Sequence, residues 1–250
     1  MKPFQEKHKA AAVITAKAVV QLKSKDETQL FSIADKTVCI VGCGALGTNA
    51  AVHLAGAGAK KLYLCDFDVV NPSNLNRQFL FTENDKGSLK CNILRDRLSY
   101  YSKETEYIPT AIKVQSADDL IFAKDSHIII CCVDNAQGRK AVAEFSEKYK
   151  IPSVYGGIDG FYGTAYLYIP DKSPCPFCAG IINDISVKSS VSSSAVIIGS
   201  MEVNLALRYL ISDDVGSSGK IFIFDGDLWE TLTIRKSKNC KICNTPEVKV

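Results

Sequence analysis

Three sets of residues have types and spacings that can do chemistry. The first is Gly42-Cys43-Gly44-Ala45-Leu46-Gly47, a Gly-x-Gly-x-x-Gly run that follows the β-branched apolar stretch Thr37-Val38-Cys39-Ile40-Val41. Gly42 permits a tight turn, Gly44 lets the backbone approach a phosphate, and Gly47 lets the next helix pack closely on the strand. Free N–H groups and the positive dipole at that helix start attract an anion. Asp66 ends a second apolar run roughly 20 residues on, where a carboxylate can accept hydrogen bonds from ribose hydroxyls. The second set is polar: Asp68, Asn74, Arg77, Gln78, Lys90 and Asp134. Taken singly, Arg77 also reads as a surface arginine, Lys90 as a solvated helix charge and Asp134 as a helix cap. The third is Cys175-Pro176-Phe177-Cys178 with Cys240-Lys241-Ile242-Cys243. Two thiolate pairs on separate segments suit a closed, structural, tetrahedral Zn²⁺ site. A redox Cys-x-x-Cys is the alternative.

The elements that must position these residues follow from periodicity. Residues 8–25 read as an amphipathic helix, and residues 1–35 as an N-terminal helical segment ahead of one domain over 36–250. Strand and helix then alternate. Strands are expected at 37–41, 61–65, 106–114, 127–133 and 152–155, with helices after the glycine turn, over 87–101, from 116 and after Asn135. Further strands at 163–169, 220–225 and 229–235 follow, the last two close enough for a hairpin. The fold class is therefore α/β: a Rossmann-like doubly wound sheet, parallel in its N-terminal half and extended by antiparallel strands. The six serines of residues 186–194 suggest a mobile crossover loop over 170–195.

Composition limits the function classes. With 46% hydrophobic and 23% charged residues, the chain has the balance of a soluble globular protein. A scattered net charge of +3 argues against nucleic acid or a membrane surface as partner. No apolar run reaches the length of a membrane span and the N-terminus lacks a signal peptide's apolar core, so a cytoplasmic setting is expected.

Gly42-Cys-Gly-Ala-Leu-Gly47, Asp66-Phe-Asp68, Ser73-Asn-Leu-Asn-Arg-Gln78, Lys90 and Asp134-Asn135 with Arg139 fall in an order that, with the two cysteine pairs, resembles the ThiF/MoeB family of ubiquitin-activating-like (HesA/MoeB/ThiF) adenylyltransferases. The resemblance runs from Lys36 to Asn244, and Asn-Leu-x-Arg-Gln after Asp-x-Asp is its most specific part. It implies ATP-dependent activation of the C-terminal carboxylate of a small ubiquitin-fold, sulfur-carrier-like protein ending in Gly-Gly, with release of pyrophosphate, in a homodimer. It implies Asp66 on the ribose, Asn74, Arg77 and Lys90 on the phosphates, Gln78 beside them, and Asp134 on Mg²⁺. Gly42, Gly44, Gly47 and Asp68 complete the nucleotide site, Arg77, Lys90 and Asp134 are its catalytic members, and Arg139 is structural. Zn²⁺ falls to the four late cysteines.

The chemistry agrees: attack of a carboxylate on the α-phosphate requires negative charge to be held and shielded. A dehydrogenase, the other reading of the glycine turn, needs none of these cations. Two departures from the family stand out. No cysteine lies between Cys178 and Cys240, where relatives that pass their product to a thiol carry one; Ile185 and Ser186 stand there. No arginine precedes Arg77, so a lysine such as Lys7, Lys9 or Lys17 substitutes for the arginine that relatives offer from the partner's N-terminal helix, or that contact is absent. A catalytically silent interaction subunit, and adenylation of a peptide or a tRNA base, are the alternative functions.

Overall fold

Apolar runs without polar interruption form the centre of the sheet. The computed structural model describes residues 33–182 and 190–243. Eight strands lie in the order β3-β2-β1-β4-β5-β6-β7-β8. They are β1 (Thr37–Val41), β2 (Lys61–Cys65), β3 (Glu106–Thr110), β4 (Ile128–Cys131), β5 (Ser153–Asp159), β6 (Tyr162–Tyr168), β7 (Lys220–Phe224) and β8 (Trp229–Thr233). The first five are parallel and the rest antiparallel, with Phe224 paired to Trp229 in the closing hairpin. Every residue of β1 and β4 is buried, as strands covered on both faces require. Pro109 cannot donate to a ladder and sits in β3, at the sheet edge.

The period-two alternation of β1 assigns its side chains to two cores. Val38 and Ile40 face helices α1 (Ala45–Gly56), α2 (Lys90–Tyr101) and α4 (Ser192–Ser212). Cys39 and Val41 face α3 (Ala136–Tyr149) with Phe145, Tyr155 and Tyr166. The chain reverses its winding between β1 and β4. The crevice beyond their carboxyl ends is the switch point where open α/β sheets bind ligands.

Three expectations need correction. Ile33 is fully buried and its N–H donates to the Ala57 carbonyl, so the compact unit begins at Ile33 rather than at residue 36. Helix α4 starts at Ser192, so the serine-rich stretch is helical in its last part. Finally, α4 has 21 residues and is long and apolar enough to cross a membrane. In this fold it is a core helix lying on α1 and the sheet, with Ala195, Ile198 and Leu205 buried. The expected helix over 8–25, the candidate lysines Lys7, Lys9 and Lys17, and Ile185 with Ser186 lie outside the described residues.

Helix α1 is braced from behind. A Cβ on Gly199 of α4 would stand 3.0 Å from the Asn49 Cβ and 3.2 Å from the Leu46 carbonyl oxygen. The absence of a side chain there lets α4 press the first turn of α1 against the sheet. That turn opens the nucleotide crevice.

Candidate active site

The glycine turn is dictated by its surroundings. Gly42 has φ +97°, and a Cβ there would meet the Cys132 carbonyl oxygen at 2.9 Å. At Gly47 a Cβ would lie 1.8 Å from the Gly42 oxygen. Gly44 differs, because its Cβ would meet only the Gln78 Nε2, at an ordinary 3.7 Å. The protein's own packing therefore does not require glycine at position 44, whereas close approach of a ligand would. Gly44 is also the N-cap of α1 and makes no side-chain capping bond. Gly44, Ala45 and Leu46 line a cleft of about 270 Å³.

Asp66 follows β2 and is buried. Its Oδ2 accepts from the Cys43 N–H at 2.6 Å and its Oδ1 from the Asp68 N–H at 2.8 Å. Burial pushes its carboxyl above the usual carboxylate range, against the pull of these two amides and of Lys90. Asp66 thus holds the glycine turn in shape as well as facing the cleft. Lys90, buried at the start of α2, places its Nζ 3.1 Å from the half-exposed Asp68 Oδ2.

The loop between them is built by reciprocal capping. Asn71 Oδ1 accepts from the Ser73 N–H and Asn74 Oδ1 accepts from the Asn71 N–H, around the short 3₁₀ turn Pro72–Asn74. Arg77 Nη1 donates to the Ser73 carbonyl at 3.0 Å and to Asn76 Oδ1 at 2.9 Å, which stations the guanidinium on its own loop. Gln78 is buried, and its Oε1 has no partner.

Asp134 follows β4 at the opposite wall, exposed. Capping of α3 falls to its neighbour, since the Asn135 side chain accepts from the Gly138 N–H at 2.8 Å. Arg139, one turn further, donates to three carbonyls: Nε to Val133, Nη1 to Ile181 and Nη2 to Gly156, at 3.0, 3.2 and 3.0 Å. The cleft brings together Gly42, Gly44, Asp66, Asp68, Asn74, Arg77, Gln78, Lys90 and Asp134. Gly47 lies behind it, in the packing of the turn.

Two features escape the sequence patterns. The segment Ile112-Lys113-Val114-Gln115 forms another cleft wall, with the Lys113 Nζ 5.2 Å from the Phe67 ring centroid. It reads as strand, yet β3 ends at Thr110 and the chain bends over the crevice. Glu202, in the apolar run of α4, is fully buried against Gly156, with the Cys132 Sγ 3.8 Å from its Oε1. Burial raises its carboxyl well above the usual range, against the pull of Arg139, and so favours the protonated form in the folded protein. The unfolded chain loses that proton above about pH 4.5, and from there stability falls as pH rises. Glu202→Gln should therefore melt higher than the parent at pH 8, with the difference shrinking towards pH 4. Equal melting curves at both pH values would mean that Glu202 is not held neutral.

The four late cysteines meet across the chain. Their Sγ atoms all lie within 4.8 Å of one another, with Cys175 to Cys240 at 3.3 Å, Cys175 to Cys178 at 3.8 Å and Cys178 to Cys243 at 3.7 Å. Tetrahedral Zn–S bonds of about 2.3 Å place sulfurs about 3.8 Å apart, so the cluster fits the ion. Cys175 and Cys240 are buried, and the Ser237 N–H lies 3.4 Å from the Cys178 Sγ as a donor.

Comparison with known proteins agrees with this geometry. The ThiF family model matches residues 17–244. A sulfur carrier protein ThiS adenylyltransferase of Escherichia coli (strain K12) is 27% identical, over 84% of this chain and 87% of its own length. A molybdopterin-synthase adenylyltransferase of the same organism is 27% identical, over 85% and 88%. Among solved structures, E. coli MccB with ATP superposes with a TM-score of 0.75 at 21% identity, over 84% of this chain and 67% of that one. That likeness shows the mixed-sheet, Rossmann-like fold. With its glycine turn, its cations and the matched length, the chain belongs to the ThiF family, a family of adenylyltransferases.

Proposed function

We propose that the chain activates the C-terminal carboxylate of a small ubiquitin-fold, sulfur-carrier-like protein ending in Gly-Gly as an acyl-adenylate, releasing pyrophosphate. The observation that carries this reading is the gathering of Arg77, Lys90 and Asp134 around one glycine-turn cleft. The turn and α1 cradle the phosphates, and Lys90 and Arg77 offset the charge that accumulates on the α-phosphate and on the departing pyrophosphate. Asp134 would hold Mg²⁺, a hard cation that prefers carboxylate oxygen and would neutralise phosphate charge. The four cysteines would hold a structural Zn²⁺. Because the Asp68 carboxylate faces Lys90, ATP must draw that lysine from an existing ion pair. A homodimer in the cytoplasm is part of the same proposal.

The test is ATP–pyrophosphate exchange with purified ubiquitin-fold carriers ending in Gly-Gly. Exchange that requires the carrier's free terminal carboxylate is expected; none with any carrier would sink the reading. Asp66→Ala should mainly weaken ATP binding, because ribose contacts exist in ground and transition states alike. It should also lower the melting temperature, because the amides of Cys43 and Asp68 lose their acceptor. Unchanged ATP affinity would remove Asp66 from the nucleotide site.

No cysteine is needed for this half-reaction, since the attacking group is the acceptor's carboxylate. Burial raises the thiols of Cys39, Cys43, Cys65, Cys91 and Cys132, and pushes that of Cys131 up to about 12. Such thiols are inert. Single Ala or Ser variants at these six positions should still form the carrier adenylate, read by mass spectrometry. A folded, ATP-binding variant that yields none would reveal covalent catalysis.

A further inference from the structure

The peptide between Cys132 and Val133, just ahead of Asp134, is wedged from three sides. A Cβ on Gly42 would meet the Cys132 carbonyl oxygen at 2.9 Å and the Val133 nitrogen at 3.2 Å, so the glycine turn rests on this peptide. From α3, Arg139 donates to the Val133 carbonyl. From α4, Glu202 brings its Oε1 and Oε2 to 3.8 and 3.9 Å from the Cys132 Sγ. Cys132 and Val133 line the nucleotide cleft, and Glu202 stands behind them. The Glu202 carboxyl is fully buried and lies on the bare backbone of β5, where a Cβ on Gly156 would overlap it. A Cβ on the next residue, Gly157, would instead meet the Arg139 guanidinium at 3.4 Å. Successive strand residues point to opposite faces, so Glu202 and Arg139 hold the sheet from its two sides.

We propose that Glu202 is a positioning residue for adenylation: its carboxyl fixes the Cys132–Asp134 segment against the glycine turn, and so sets where Asp134 meets the nucleotide. The inference rests on the adenylation reading. A side chain that only filled this space would be apolar, because burying a carboxyl costs folding free energy that a methionine of similar length does not. The groups that Glu202 engages are the ones that shape the cleft. Cys132 leads into Asp134, and Gly156 gives its carbonyl to the same guanidinium that holds Val133. Contacts made in a transition state are sensitive to displacements of this size, so a side chain outside the cleft can govern the rate. Burial favours the uncharged form of the carboxyl, which adds no negative charge behind the phosphates.

The experiment measures pyrophosphate exchange by the full chain at saturating ATP and carrier. Glu202→Met keeps length and burial but drops the polar contacts. Its rate should fall about tenfold or more, with the KM for ATP changed by less than about threefold. Glu202→Gln, which keeps a polar group on Cys132 and Gly156, should retain most of the parent's rate. Neither variant should melt below the parent. In the Asp134→Ala background, Glu202→Met should cost less than about threefold more, because the residue it places is gone. Crystal structures of the parent and of Glu202→Met should differ in the distance from Asp134 to Gly44 by about 0.5 Å or more, the tolerance of a catalytic constellation. The proposal is overturned by a parental rate in Glu202→Met, by a Gln variant as impaired as the Met variant, by losses that simply add to that of Asp134→Ala, or by an unmoved Asp134. No exchange by the parent with any carrier would refute the adenylation reading instead, and the two crystal structures would then decide whether Glu202 places Asp134.

Discussion

Asp134→Ala should reduce carrier-dependent pyrophosphate exchange by roughly 10²-fold or more, the scale of losing a charge contact made in the transition state. The structure makes this a clean substitution. Asp134 is exposed at the end of β4, and the Asn135 side chain, not Asp134, caps the following helix. Little stability should be lost, so unchanged melting with collapsed exchange is the expected pair of results. Arg77→Ala should behave alike. Its guanidinium is held by Ser73 and Asn76, so the variant loses a placed charge and not a packing element. Arg77→Lys should restore only part of the activity, because an ammonium keeps the charge and loses the fork. Near-normal exchange in Asp134→Ala or Arg77→Ala would show that the residue is misassigned.

The second large effect concerns metal. Purified protein should contain about one zinc per chain, and removing it should lower the melting temperature by on the order of 10 °C, since structural zinc binding couples to folding. The four Sγ atoms lie within 4.8 Å of one another, with two of the contacts, at 3.7 and 3.8 Å, at the edge length of a zinc tetrahedron. Cys175 and Cys240 are both free thiols, 3.3 Å apart. The site joins the segment before α4 to the chain after β8, so its loss should loosen both. Cys240→Ser should show the same drop. Protein that is metal-free as purified, or that melts identically with and without chelator, would remove the site.

How far the sequence could be read depended on how local each signal was. The glycine turn, the buried strands β1 and β4 and the closing hairpin carry their reasons in adjacent residues, and the structure forms them where the patterns put them. The cysteine pairs are local motifs too, and only their meeting is tertiary. What stayed hidden depends on neighbours distant in sequence. Ile112 to Gln115 leave the strand pattern because the chain must turn over a crevice made by β1 and β4. Glu202 looks like an exposed charge on a helix until Gly156, far away in sequence, is seen to leave room for its carboxyl.

Arg139 has a consequence for how its surroundings hold together. One guanidinium holds the carbonyl of Val133, beside Asp134, the carbonyl of Gly156, in β5, and the carbonyl of Ile181, in the segment after Cys178. It works as a linchpin between three separate segments. Losing that one side chain would leave three carbonyls without their donor at once.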